Sequence, residues 1–413
     1  MAAAANGNAR AIELVLASEP WLVGVRPAGE VVPDLPANGI LHAAPPTSWN
    51  DMSDLLRGGV VGAALFEGLA GTPEEAERAA AAGEIELRAA QDHSAMAGGA
   101  GAITASLPVL VLEDRTNGKR AFHFLMEGFG RTLILGMCDE EVLARLRWFR
   151  DDLGPALDAA IRAVGGIDVR AVIAEALRRG DELHNRNAAA TSMLAERLAP
   201  GFVRAGVDSD LQALAFRLLR ENPQFFVAAS LAATRLALDA ADGIDGSSLL
   251  TAVGANGRDC GIKVAGLGDR WFTAPAEVPQ GVFLEGFGRE DAGPGCGDSL
   301  LVECCGLGAA VLPAAPAFWP LVGADETRAR AIVDDTATIA LGEHPHYRIP
   351  VLGDRGAPTG IDVLRVVETG IRPVIDIVML HRERGRGMIG FGLTSPPLSC
   401  FEQAAAAFRE RYG

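Results

Sequence analysis

Helical and strand signals are segregated along this chain, and that segregation limits the folds available to it. Residues 141–242 carry helical signals throughout, with apolar positions at i, i+3 and i+4 spacing. Residues 1–140 and 243–413 mix short helices with strands and hairpin turns. The pattern predicts an α+β fold in which two mixed α/β domains flank a small helical domain. The length of 413 residues agrees, because it exceeds one ordinary hydrophobic core.

Local patterns predict several individual elements. Residues 72–83 should form a helix in which Thr72 is the N-cap, Pro73 is the first helical residue and the Glu75 side chain returns to the cap. A hairpin is expected around Asn256-Gly257. Asp181 is expected to cap a further helix that runs to Leu198.

Composition narrows the choice of partner and compartment. The net charge of −16 argues against a nucleic-acid or anionic-membrane partner, although a small anionic substrate stays possible. No signal peptide and no apolar run of ~18 residues is recognisable. The six cysteines lack metal-type spacing, which is typical of reduced thiols, so a cytoplasmic protein is expected. His344 and His346 lack a third ligand nearby, and neither a metal nor a cofactor is predicted.

The segment GDELHNRN is unusually polar for this chain. If a helix begins at Asp181, then Asp181, His184 and Asn185 share one face, while Glu182 and Arg186 pair at i, i+4. Asp181 would then fix the tautomer of His184, as a general base requires. The alternative is a solvated helix start with a surface ion pair.

A second candidate is the glycine-rich turn in GPGCGDSLLVE. Gly297, Asp298 and Ser299 begin a predicted helix, where free backbone N–H groups and the helix dipole favour an anion. Alternatively, Asp298 itself caps the helix and satisfies those donors, which leaves no room for a phosphate.

Three further segments carry groups that suit a small anion. Arg258 and Lys263 lie close together in a glycine-rich stretch, with Asn256 in the adjoining turn. The alternative for Asn256 is that it serves the turn geometry alone. His93 and Glu127 lie beside loops of small residues that a ligand could approach closely.

The same segments resemble the YlbE/YahG family, which is encoded beside FdrA-like proteins. The resemblance runs from LHAAPPTSW, GAALFEGLA, MEGFGR and RLRW through GDELHNRN, NPQFF and NGRDCGIKVAGLGDRWFTAPAEVPQG to GDSLLVECCGLGAAVLPAAP, RVVETGIRP and PLSCFEQA. It implies a subunit of oxamate carbamoyltransferase, which converts oxalurate and phosphate to oxamate and carbamoyl phosphate in allantoin and purine breakdown. An FdrA-like subunit and a further subunit are the implied partners, and a homo-oligomer is possible. A stand-alone ureido-acid hydrolase and a non-catalytic structural subunit stay open as alternatives.

Carbamoyl transfer needs aligned reactants, donors for the developing oxyanion and a cation for the carboxylate. We therefore expect His184, held by Asp181, to manage the proton on the amide nitrogen, with Arg186 and Arg258 binding carboxylate or phosphate. The candidate catalytic residues are His184, Asp181, Arg186, Asn187 and His93. The candidate substrate- or anion-binding residues are Asn256, Arg258, Lys263, Gly297, Asp298, Ser299, Glu303 and Glu127.

Overall fold

The N-terminal part of the chain is organised around a five-stranded mixed sheet. The computed structural model describes residues 2–413. The strand order is β4-β7-β6-β1-β8, and β2, β3 and β5 form a separate small sheet. The elements are α1 (Ala2–Ala17), β1 (Pro20–Pro27), α2 (Ala28–Val31), β2 (Gly39–His42), α3 (Asp54–Glu67), α4 (Pro73–Ala82), β3 (Glu86–Ala89), β4 (Ala95–Met96), β5 (Ala102–Ile103), β6 (Pro108–Asp114) and β7 (Arg120–Phe124).

The middle part is helical, apart from the short strand β8, which pairs with β1. Helix α10 is buried along almost its whole length, as its nearly uniform apolar sequence predicts. The elements are α5 (Glu140–Trp148), a π-helical turn (Phe149–Leu153), α6 (Gly154–Ala163), β8 (Ile167–Asp168), α7 (Val169–Arg178), α8 (Ala188–Arg204), α9 (Ser209–Glu221) and α10 (Val227–Asp239).

The C-terminal part contains three small sheets, ordered β11-β10-β9-β13, β12-β17-β16 and β14-β15. The 3-10 helix Asp298–Cys305 follows β13 directly. The elements are β9 (Leu250–Asn256), β10 (Asp259–Val264), β11 (Phe272–Pro275), β12 (Gln280–Phe283), β13 (Cys296–Gly297), α11 (Glu326–Ile339), β14 (Ala340–Ile349), β15 (Arg355–Ile361), α12 (Val363–Thr369), β16 (Ile375–Leu380), β17 (Met388–Thr394) and α13 (Leu398–Tyr412).

The mixed α+β class and most local predictions are confirmed. The hydroxyl of Thr72 accepts a hydrogen bond from the Glu75 backbone N–H at 3.2 Å, and the helix begins at Pro73. The Glu75 carboxylate accepts from the Gly71 N–H rather than from Thr72, which corrects the predicted reciprocal cap. The hairpin β9–β10 turns at Asn256 as predicted.

The predicted helix from Asp181 to Leu198 is wrong at both ends, since the observed helix continues past Leu198 and Pro200 to Arg204. Residues 179–187 form a loop, and α8 begins at Ala188. The Glu182 carboxylate accepts the backbone N–H groups of His184, Asn185 and Arg186, which competes with helical hydrogen bonding.

Asp181 still supports α8, although it does not occupy the N-cap position. Its Oδ2 accepts from the Ala190 N–H at 2.9 Å. In the loop between them, Leu183 has a φ of 71°, a left-handed conformation that does not continue a helix of L-residues.

Buried apolar side chains connect the three parts of the chain. One cluster extends from Ala11 in α1 through α10 to Phe408 in α13. The division into three domains therefore stays a prediction. Among the described residues, the helices are all too short or too polar to cross a membrane.

Candidate active site

A cavity of about 80 Å³ lies where segments from all three parts of the chain meet. Most of its surface is apolar, and His184, Asn185, Gln224 and Ser299 supply the polar groups of its wall. The remaining lining residues are Gly98, Gly99, Met126, Phe129, Ile134, Leu135, Val227, Leu231, Cys296, Ile377, Val378 and Leu380. A concave, mostly apolar site with a few convergent polar groups is typical of a small-molecule site.

His184 is held at the cavity wall by two buried carboxyl groups. Its Nδ1 lies 3.0 Å from Oε1 of Glu303 and 3.2 Å from Oδ1 of Asp376. Glu303 belongs to the 3-10 helix and Asp376 to β16, and their side chains are 1% and 0% exposed. Because Nδ1 is engaged, Nε2 is the ring atom available to a molecule in the cavity. We refer to these three residues as the His184 cluster.

A network of amides fixes the loop that carries His184. Asn185 donates from Nδ2 to Oδ1 of Asp376 at 2.5 Å. Asn187 donates to the His184 carbonyl at 3.0 Å and to Oε1 of Gln224 at 2.8 Å. Gln224 in turn donates to the Asn185 carbonyl. Such second-layer hydrogen bonds hold a reactive side chain in one orientation.

Burial shifts the proton affinities of the acids in this region. It raises the pKa of Glu303 to about 7 and that of Asp181 to about 6. Burial, and then the charge of Asp376, raises the pKa of Glu182 well above its ordinary value. Burial alone would lower the pKa of His184, but the charges and hydrogen bonds of Glu303 and Asp376 raise it well above the ordinary value. His184 therefore favours the imidazolium form when it faces these two carboxylates.

The balance of charge at the cavity is unusual. Two oxygens of the His184 cluster, Oε2 of Glu303 and Oδ2 of Asp376, are buried without a hydrogen-bond partner. Yet the cavity lining within residues 2–413 contains neither lysine nor arginine. Buried charges are stable only when they are paired or bind a cation. Among the lining residues, His184 is the one group that can carry a positive charge and balance these two acids.

The predicted partnership between Asp181 and His184 is wrong. Oδ2 of Asp181 instead accepts from the Ala190 N–H in the first turn of α8, and Oδ1 is 3.7 Å from Nε of Arg186. Arg186 is partly exposed and donates from Nε to the Gly180 carbonyl at 2.9 Å. The predicted pair between Glu182 and Arg186 side chains is also wrong, because the Glu182 carboxylate binds backbone N–H groups. The roles proposed for Asp181 and Arg186 stay predictions.

The turn at Gly297, Asp298 and Ser299 is a tertiary junction as well as a helix start. Asp298 is not the N-cap. Its carboxylate accepts from the Ala44 N–H at 2.8 Å, the Ala97 N–H at 2.8 Å and the Gln91 amide at 2.7 Å. The Asp298 N–H donates to the Ala97 carbonyl, so it is not free for an anion. Only Ser299 of the three lines the cavity.

The other predicted anion-binding groups lie outside the cavity lining. Asn256 accepts the N–H groups of Arg258 and Asp259, so its side chain serves the turn geometry. Arg258 is exposed and pairs with Asp51 at 2.6 Å. Lys263 is buried and contacts Asp92 and Asp269, each at 3.1 Å; it lines a separate polar cavity of about 80 Å³.

His93 and Glu127 are also structural in their contacts. Nδ1 of His93 lies 2.8 Å from the Pro33 carbonyl. Glu127 accepts from the Leu133 N–H at 2.8 Å and pairs with Arg145 at 3.3 Å. Burial, opposed by Arg145, raises the pKa of Glu127 to about 7.

Sequence reasoning missed Asp376. A signal was available, because Asp376 is the lone charged residue in the apolar strand β16, IDIVML. A carboxylate inside such a strand must face a partner or a ligand. Asn185 lies in GDELHNRN and Gln224 in NPQFF, but their part in holding the His184 loop depends on the fold.

Comparison with known proteins adds independent information. The family model described as "Oxamate carbamoyltransferase subunit AllG" matches residues 85–299. The Escherichia coli K12 protein "Oxamate carbamoyltransferase subunit AllG" is 40% identical, covering 99% of this chain and 98% of that protein. The uncharacterized E. coli K12 protein YahG is 39% identical, covering 99% of this chain and 87% of that protein.

The fold is shared with a solved structure. The crystal structure of a conserved protein of unknown function from Enterococcus faecalis V583 superimposes with a TM-score of 0.97. Its sequence is 38% identical, and the match covers 99% of this chain and 98% of that one. Fold and sequence thus place this chain among α+β proteins of one full-length family. The chain belongs to the AllG family, as the resemblance in its motifs predicts.

Proposed function

We propose that this chain is a subunit of an oxamate carbamoyltransferase and that the cavity beside His184 binds the ureido substrate. The observation that carries the proposal is the buried imidazole of His184, whose Nδ1 is fixed by Glu303 and Asp376 beside that cavity. Membership of the AllG family supports the same reaction.

The size of the cavity fits the substrate. One water requires roughly 10–15 Å³ by the same measure, so about 80 Å³ holds several waters or one small planar molecule. Oxalurate, with fewer than ten non-hydrogen atoms, is in this range, whereas a nucleotide or coenzyme A is far larger. The amide groups of Asn185 and Gln224 offer donors and acceptors that match a ureido group.

The reaction can be written with balanced atoms and charge. An oxygen of hydrogen phosphate attacks the carbamoyl carbon of oxalurate, a carbon–oxygen bond forms, and the bond from that carbon to the oxamate nitrogen breaks. The phosphate proton ends on the oxamate nitrogen. His184 donates a proton to that nitrogen as it leaves and recovers one from the phosphate, the task of a general acid. The carboxylates on Nδ1 favour the imidazolium that this step requires.

The cavity also explains why the activity should belong to an assembly. Phosphate and the oxamate carboxylate together carry three negative charges, and they need cations or preorganised donors. Since the described lining holds no lysine or arginine, these charges require groups from outside it. We therefore propose that the FdrA-like subunit and the further subunit complete the site.

The test is to follow oxalurate consumption by this chain alone and by the assembly with both partners, with and without phosphate. We expect oxamate release only from the assembly and only with phosphate. Turnover by the lone chain without phosphate would instead indicate a ureido-acid hydrolase. If no combination consumes oxalurate, the proposed substrate is wrong.

A further inference from the structure

The His184 cluster contains more negative charge than its hydrogen bonds neutralise. Glu303 and Asp376 converge on one imidazole, and the buried carboxyl of Glu182 lies on the same loop. Two buried acids therefore share one imidazole, and a third buried acid accepts the backbone N–H of the same histidine. Taking such charges out of water is costly unless each has a partner.

Each carboxylate of this cluster has one oxygen that is hydrogen-bonded and one that has no partner. Glu303 uses Oε1 to accept from His184 and from the backbone N–H groups of Ala309 and Asp376, at 3.0 to 3.3 Å. Its Oε2 has no hydrogen-bond partner, and the same is true of Oδ2 of Asp376. Backbone and amide donors thus orient both carboxylates while leaving one oxygen of each free.

We propose that His184, Glu303 and Asp376 bind a divalent transition-metal ion such as Mn²⁺ or Zn²⁺. One ligand atom from each residue lies within 4.8 Å of the other two. Ligands in neighbouring octahedral positions at bonds of ~2.1 Å are about 3.0 Å apart. The observed 3.0 Å and 3.2 Å from Nδ1 to the two carboxylates match that separation.

The ligand types favour this class of ion. One imidazole and two carboxylates form a mixed set of nitrogen and oxygen ligands. Such a set suits Zn²⁺ and Mn²⁺ better than it suits Ca²⁺ or Mg²⁺, which prefer oxygen ligands alone. Two carboxylates balance the ion's double charge. The ion takes the place of the proton on Nδ1 of His184, and the released proton goes to solvent. The ion-bound state is therefore distinct from the imidazolium state of His184 that acts as general acid.

The hydrogen bonds around the ligands match those of built metal sites. Asn185 donates to Oδ1 of Asp376, and the backbone N–H groups of Ala309 and Asp376 hold Glu303. Three protein ligands leave coordination positions open, and one of the three, His184, lies on the cavity wall. An ion here would supply the positive charge that the lining residues lack.

The experiment measures binding by the whole chain in the absence of substrate and partners. Chelator-treated protein is titrated calorimetrically with Mn²⁺, Zn²⁺ and Mg²⁺, and free Mn²⁺ is counted by electron paramagnetic resonance. The variants are Glu303→Gln and Asp376→Asn, which keep the side-chain shape. Glu74→Gln, at an exposed position of α4, is the matched control.

We expect one equivalent of Mn²⁺ or Zn²⁺ to bind the wild type and the control, with affinity at least tenfold weaker in each cluster variant. Bound ion should also raise the melting temperature of the wild type but not of the cluster variants. No binding at millimolar ion, or equal binding by both cluster variants and the wild type, would overturn the proposal.

These measurements are independent of the proposed reaction. If the ion binds but the assembly shows no phosphate-dependent transfer, the function fails and the metal site stands. If the metal-free assembly carries out the transfer and no ion binds, the metal site fails and the proposed function stands. Circular dichroism of each variant separates loss of ligand from loss of fold.

Discussion

Oε1 of Glu303 lies 3.0 Å from Nδ1 of His184, across 119 residues of chain. This contact joins the polar loop after α7 to the 3-10 helix after β13, and Asp376 from β16 completes it. Because all three groups are buried, their protonation, orientation and ligands depend on one another. Because Glu303 and Asp376 hold the ring of His184, this residue lines the cavity, whereas Arg186 does not.

Replacing His184 by glutamine should abolish most of the activity of the assembled complex. Loss of a general acid costs roughly 10²–10⁴ in turnover. We expect the effect on kcat, with a smaller change in KM, because glutamine keeps a hydrogen-bonding group. The matched control is His346→Gln on β14, which lies outside the cavity lining and should stay within twofold. Turnover of the His184 variant within twofold would rule out the assigned role.

Gly308 should be intolerant of alanine for a reason specific to the cluster. Its φ is 57°, and a Cβ there would overlap Oε1 of Glu303 and lie 3.2 Å from Cβ of His184. Gly118, with a φ of 75° and nothing within 4 Å, carries the same backbone strain without the overlap. We expect Gly118→Ala to cost ~1 kcal/mol of unfolding free energy, and Gly308→Ala ~2 kcal/mol or more beyond that. Urea unfolding at one pH measures both, and equal costs would contradict the packing argument.

Glu127 should make stability depend on pH. Its folded pKa of about 7 exceeds the ordinary 4.5, because burial disfavours the charge. The folded state therefore binds the proton more tightly than the unfolded chain, and stability falls as pH rises from about 4.5 to about 7, then stays level. The total is on the order of 3 kcal/mol.

The variant Glu127→Gln removes this dependence while it keeps an acceptor for the Leu133 N–H. We expect wild type to lose stability relative to the variant between pH 5 and pH 8, as measured by urea unfolding at each pH. The difference between the two proteins isolates Glu127 from other titrating acids. A difference that does not change with pH would show that Arg145 keeps the Glu127 carboxylate ionised throughout.

Asp298 should be a strong stability determinant. Its two oxygens accept from Ala44, Ala97 and Gln91 in the protein interior. In Asp298→Asn, the amide nitrogen would face a backbone N–H, so we expect a loss of roughly 2–4 kcal/mol in unfolding free energy. The exposed control Asp152→Asn should change stability by less than ~0.5 kcal/mol. A small effect at Asp298 would mean that water replaces these contacts.

The sequence alone determined the features that depend on neighbours along the chain. The cap at Thr72 and the hairpin turn at Asn256 involve groups two to three residues apart, so composition and spacing suffice to predict them. The buried face of α7 follows from its periodicity in the same way. The motif resemblance also identified the family, which full-length comparison confirms.

Only the tertiary structure decided which charged groups meet. Asp181 is near His184 in sequence, yet the left-handed Leu183 and the backbone contacts of Glu182 separate them and direct His184 toward Glu303 and Asp376. Such partners are chosen by how the strand, the 3-10 helix and the loop pack, which no local spacing records. Burial, and with it the proton affinity of each acid, is set by the same packing.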